Sequence, residues 1–238
     1  MAPICLICRK STFSARVKLA SLDLDPGEIA KILRSLTEKS DGNPLYARYL
    51  CVGLMSGLDT GDISNPSDWL QTLPEIHGQI SEYYSHIYKG LIQQAQYIAD
   101  LFGAIDFSIT EEELREIVPT PLLGWVKNAI RALAPVLTCS VGQGGMRVFH
   151  ESFRRFMFEE MKQTGRSIGV TLKPVISWLE KMGFYGSSKS FRFLIPVLSR
   201  AGNTSQIFSL VESSFVAKSV GNGHSYDAIQ KNVVLSHS

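Results

Sequence analysis

The chain has 238 residues, of which 45% are hydrophobic and 19% charged, and its formal charge is +2. These proportions suit a folded chain with a sizeable core and exclude a disordered or low-complexity one. So small a charge gives no ground for a polyanion partner, and no apolar run approaches the roughly 20 residues that cross a bilayer.

The chain opens on Met1-Ala2-Pro3-Ile4-Cys5-Leu6-Ile7-Cys8-Arg9-Lys10. No basic residue precedes the apolar stretch, and the stretch is short, so it does not read as a secretory leader. Residues 3–8 are predicted to form a buried strand. A lone parallel-type strand cannot satisfy its own backbone groups, so this one is expected to be the last of a sheet that lies upstream. The chain is then expected to be a fragment, or a frame that opens inside a domain, and to reside in the cytoplasm. Cys5 and Cys8 have the C-x-x-C spacing of metal and redox sites. In a strand, however, side chains three apart face opposite ways, and no second Cys or His pair matches, so small buried hydrophobes are preferred.

Two helices follow. Asp25 is placed to cap, Pro26 to occupy the first helical position, and Glu28 to complete a capping box. Ile29, Ile32, Leu33 and Leu36 then make one apolar stripe. Ser40-Asp41-Gly42 ends this helix, Asn43 caps the next, and Pro44 sits in its first turn. The second helix runs on to Leu58, and residues 59–67 are turn-rich and read as a linker.

Residues 68–165 read as one unit. Ile76, Ile80, Tyr83, Tyr84, Ile87, Tyr88 and Leu91 keep helical spacing, and a second helix covers about 92–104. Thr110 to Glu113 is a capping box for a third, and Leu122 to Leu133 gives a fourth that stops at Pro135. Val136 to Val141, the Gly142-Gln143-Gly144-Gly145 turn and Met146 to Phe149 then read as a hairpin. Helices followed by a hairpin make the winged-helix pattern. Residues 166–238 carry amphipathic segments at about 171–182, 188–201, 204–218 and 225–235, an antiparallel helical array with no fixed sequence period.

At Gly42-Asn43-Pro44-Leu45-Tyr46 the chain resembles the Gly-x-Pro motif in the helical lid of STAND and NACHT signalling ATPases. At Phe149-His150-Glu151-Ser152-Phe153 it resembles the start of the last helix of their winged-helix domain. The resemblance covers about residues 3–220 and implies a mainly α architecture. Residues 1–20 would hold the remnant last strand of an NTPase core, 21–62 the lid, 68–165 the winged helix and 166–238 a second helical domain. It also implies a nucleotide switch, in which Pro44 packs on the adenine and His150 reaches the β-phosphate of ADP. Gly42 belongs to the same lid motif, and Arg9 stands where a sensor arginine would.

The departure from the family pattern is the absence of a Gly-x-x-x-x-Gly-Lys-[Ser/Thr] loop and of the acidic strand that holds Mg²⁺. ADP or ATP is therefore expected only when these residues are joined to a phosphate-loop domain, with no cofactor and no catalysis for this chain alone. The implied partners are that domain and the effector or sensor domains of a longer protein, and self-oligomerisation is compatible with them. In its own right, an imidazole at a helix N-terminus lies beside free N–H groups that welcome an anion.

Plainer readings stand beside these. Proline favours a first helical turn anyway, and a lone histidine commonly caps a helix. Arg154 and Arg155 with Glu159 and Glu160 read as a solvated face using i,i+4 pairs. His77, His86, His224 and His237 suggest no ligand set or dyad. No hydrolase signature is present, so an autonomous enzyme is not expected. A DNA-binding winged helix is the alternative, but its recognition helix near 121–134 has only Lys127 and Arg131, and the wing from Val141 to Met146 has no basic residue. A helical protein-interaction module is the third reading.

Overall fold

Asp25 and Asn43 begin the fold as their side chains allow. Asp25 Oδ2 accepts from the Gly27 amide at 2.9 Å, and Asn43 Oδ1 accepts from the Leu45 and Tyr46 amides, both at 3.0 Å. Each cap is followed by a proline, opening helices α1 (Pro26–Lys39) and α2 (Pro44–Thr60). The computed structural model describes residues 19–20, 24–76, 79–139 and 145–236. The expected first strand, with Cys5, Cys8 and Arg9, lies outside the described residues, as do His77, His237 and most of the glycine-rich turn.

Among the described residues the chain is 73% helix, in thirteen helices, with one small antiparallel sheet. That fits the mainly helical class expected of the sequence. After α2 come α3 (Pro66–Thr72), α4 (Ile80–Gly90), α5 (Gln93–Ala104) and α6 (Glu111–Ile117). A 3-10 turn over Thr120–Trp125 leads into α7 (Val126–Leu133). Strands β1 (Leu137–Cys139) and β2 (Met146–Val148) pair, and α8 (Glu151–Gln163) follows. The remainder is α9 (Ile168–Lys181), α10 (Ser188–Arg200), α11 (Thr204–Leu210), α12 (Phe215–Gly221) and α13 (Tyr226–Ser236). No helix among the described residues is long and apolar enough to cross a membrane.

Several expectations shift. Residues read as linker include the start of α3, because Asn65 Oδ1 accepts from the Ser67 and Asp68 amides and Pro66 fills the first turn. Helix α4 starts at Ile80, four residues later than its apolar spacing suggested. The segment 204–218 is two helices, broken at Val211 to Ser214. Arg154 is not on a solvated face: its side chain is 13% exposed and pairs back to Glu151 at 3.6 Å. Thr110 and Glu113 do form the expected reciprocal box at the start of α6.

The chain divides into two compact units. The first comprises residues up to Gln96, with Lys127–Thr138 and Phe149–Phe156. There α1 packs on α2 and α3, and α2 packs on the 3-10 turn Ala134–Val136. Its core holds five buried tyrosines, Tyr46, Tyr49, Tyr83, Tyr84 and Tyr88. Gly57 makes room where α2 passes Ile63, since a Cβ there would meet the Ile63 side chain and displace it.

The second unit comprises Tyr97–Val126, Cys139–Val148 and the chain from Met157. In it α9 packs on α10, α10 on α11 and α13, and α6 on α9. Phe184, Phe191 and Phe215 fill its interior, and the His224 ring lies flat on Phe191 at 3.7 Å. Trp178 of α9 donates to Glu116 of α6 at 2.9 Å, and Arg200 of α10 donates to Asp106 at 3.0 Å.

Candidate functional site

The site is built in the first unit, from the two turns that the sequence marks out. Ser40, Asp41 and Gly42 connect α1 to α2. Asp41 has φ 47° and Gly42 φ 69°, two successive left-handed residues. Aspartate and glycine are the residue types that take this conformation at least cost. The Asn43 amide donates back to Ser40 O at 2.8 Å, which closes the turn and aims the first residues of α2. Pro44 is the first residue of α2 and is exposed, as is Gly42. A cleft of about 530 Å³ lies beside this turn, lined by Lys31, Glu38, Asp41, Gln71 and Glu75 among others; neither Pro44 nor His150 lines it.

His150 sits one residue ahead of α8 and is exposed. The Ser152 amide donates to His150 Nδ1 at 3.2 Å. That bond makes Nδ1 the acceptor and leaves the ring proton on Nε2, the outward nitrogen. Ser152 Oγ also lies 2.7 Å from Nδ1 and 2.6 Å from the Tyr84 hydroxyl, which in turn is 3.3 Å from the Tyr49 hydroxyl. With Nδ1 accepting, one consistent direction follows: Tyr49 donates to Tyr84, Tyr84 to Ser152, and Ser152 to His150. Each hydroxyl then uses its single proton once.

This hydrogen-bond chain begins on α2, five residues after Pro44, passes through α4 and ends on the turn before α8. Its surroundings are apolar. Tyr84 packs edge-on against Phe153 at 5.2 Å, and Tyr49 stacks on Tyr83 at 5.7 Å. Burial pushes the phenols of Tyr49, Tyr83 and Tyr84 above the ordinary tyrosine range, and the Tyr49 proton is held further by its bond to Tyr84. These hydroxyls therefore stay protonated and act as fixed dipoles.

Arg48 makes a second attachment between the same elements. Its guanidinium lies 3.5 Å from the centroid of the Phe149 ring and donates to Pro135 O at 3.2 Å. Loss of water around it lowers its pKa from the usual arginine value. Phe149 in turn donates its amide to Val136 O at 2.8 Å. The turn that carries His150 is thus held to α2 by a cation over a ring and by a row of hydroxyls.

Of the residues singled out in the sequence, Pro44 and Gly42 belong to the turn that opens α2. His150 connects to α2 through Ser152, Tyr84 and Tyr49, and Arg9 lies outside the described residues. Sequence reasoning missed Arg48, Tyr49, Tyr84 and Ser152 as members of the site. The available signal was tyrosine, not leucine or phenylalanine, at core positions of two amphipathic helices, since a buried phenol needs a partner.

No protein-family model, no curated protein and no solved structure matches the chain.

Proposed function

We propose that residues 21–62 and 68–165 are the lid and winged-helix parts of a STAND-type nucleotide switch, used in intracellular signalling or defence and not catalytic alone. Pro44 and Gly42 form the edge that packs on the adenine, and His150 offers Nε2–H to the β-phosphate of ADP. The observation that carries this reading is the hydrogen-bond chain from His150 to Tyr49, which ties the second motif to the helix that the first motif opens. A phosphate taken by Nε2 draws on a ring whose other nitrogen is already oriented, so little ordering remains to be done on binding. His150 acts as a lock between lid and winged helix, and its release frees the two elements to move as hinged bodies.

The nucleotide is bound only with a phosphate-loop domain, which supplies the oxyanion cradle and the Mg²⁺ ligands. In a polypeptide that carries such a domain ahead of residue 21, His150→Ala is expected to weaken ADP retention roughly 10- to 100-fold, the value of a charge-assisted hydrogen bond. Unchanged retention in that variant refutes the lock.

The duplex-DNA alternative has less behind it. Arg131, one of the two basic residues of its recognition helix, faces Asp62 at 3.5 Å. A salt-dependent gel shift on random duplex separates the two readings.

A further inference from the structure

The second unit contains a cleft of about 650 Å³ lined by residues of α6, β2 and α10 and of the segment before α6. Its charges are unevenly satisfied. The acids that line it are Asp106 and Glu113. Arg200 donates to Asp106 Oδ2 at 3.0 Å, and Lys189 Nζ reaches both Glu113 oxygens, at 2.5 and 2.6 Å. Glu113 Oε2 also accepts the Thr110 amide at 2.8 Å. Arg147 and Arg192 line the same cleft, are exposed, and have no ion pair or hydrogen bond among the described residues. Each of the cleft's acids is paired with a cation through at least one oxygen, although Asp106 Oδ1 is buried and accepts no hydrogen bond, and two of the cleft's cations have no acid.

Both guanidiniums are placed by regular structure. Arg147 is the middle residue of β2, which is fixed on one side by the Ile109–Met146 bridge, with N···O distances of 3.0 and 2.7 Å. Gly145 lets the chain press against Ser108 there, since a Cβ would lie 2.9 Å from Ser108 Cβ. On α10, Ser188, Lys189, Arg192 and Phe193 share one face at i, i+1, i+4 and i+5 spacing. Phe193 stacks on the buried Phe107 at 4.4 Å, giving the cleft an apolar wall. An anion beside such a wall is less screened than one in open water, and a guanidinium grips its oxygens in pairs.

We propose that this cleft binds a phosphomonoester, with Arg147 and Arg192 taking the phosphate oxygens and Ser188 offering a hydroxyl. A dianion suits two unpaired cations better than a single carboxylate does. The site lies in the second unit and is independent of the nucleotide reading of His150. The phosphate can come from a small phosphorylated molecule or from a phosphorylated protein segment.

The test titrates the full chain at low ionic strength, by calorimetry, with inorganic phosphate, a phosphoserine peptide and its unphosphorylated parent. Binding of either phosphate-bearing probe, weakening as salt rises, is expected, and the parent peptide should not bind. Phosphate binding as tightly as the peptide assigns the small-molecule source, and binding of the phosphopeptide alone assigns the protein segment. The double variant Arg147→Gln/Arg192→Gln should lose at least about tenfold in affinity with an unchanged thermal melt, because both side chains are exposed. His150→Ala should bind as the parent chain does. No binding of either phosphate probe, equal binding by the double variant, or loss of binding in His150→Ala overturns the proposal.

Discussion

The two units bury aromatic rings to different ends. In the first, Tyr46, Tyr49, Tyr83 and Tyr84 go inside carrying hydroxyls, and those of Tyr49 and Tyr84 join in line toward Ser152 and His150. In the second, Phe184, Phe191 and Phe215 pack ring on ring, Phe191 and Phe215 within 8° of parallel. Packing of the second kind tolerates small shifts and contributes mainly stability. A line of hydroxyls has one good arrangement and loses several bonds together when one member moves. The first unit is therefore built for register between α2 and the His150 turn, and the second for stability.

Substitutions break this contrast at different sizes. Phe191→Ala should be the most damaging, lowering stability by about 3–5 kcal/mol in urea unfolding, because a fully buried ring leaves a cavity behind. Tyr84→Phe keeps the ring and removes only the hydroxyl, so the expected loss is about 1–2 kcal/mol. A loss as large as that of Phe191→Ala would mean that the two cores do not differ in kind.

Alkaline pH sharpens the contrast from another side. Burial raises the folded-state pKa of Tyr83 above the unfolded value near 10. Such a group contributes stability that is intact below pH 10 and declines as pH rises past it. Melts between pH 9 and 11.5 should fall with a limiting slope of about 1.4 kcal/mol per pH unit per phenol, and Tyr83→Phe should flatten the slope. At the α1–α2 turn, Gly42→Ala finds nothing within 4 Å but must keep φ 69°, so a cost of about 1 kcal/mol is expected in the same assay.

Much of this architecture could be read before any coordinates. Asp25-Pro26, Asn43-Pro44 and the Thr110–Glu113 box each mark a helix start by local hydrogen bonding alone, and each lies where expected. Asn65-Pro66 carries the same signal and was outweighed by the turn-forming residues around it. Prolines do not act alike in this chain. Pro174 and Pro196 lie inside α9 and α10, where packing offsets the lost donor, whereas Pro121 and Gly124 leave a 3-10 turn ahead of α7. The turns at Gly42 and His150 were visible as motifs. Their connection was not, because Tyr49–Tyr84 and Tyr84–Ser152 are 35 and 68 residues apart and only tertiary packing brings them together.

The most direct measurement is a double-mutant cycle in unfolding free energy between His150→Ala and Tyr49→Phe. Ser152 and Tyr84 stand between the two side chains in the hydrogen-bond chain. Coupling of at least about 0.5 kcal/mol is predicted if the hydroxyl line joins α2 to the histidine. Effects that add to within about 0.3 kcal/mol would contradict it, because the imidazole would then be sensing nothing that reaches α2.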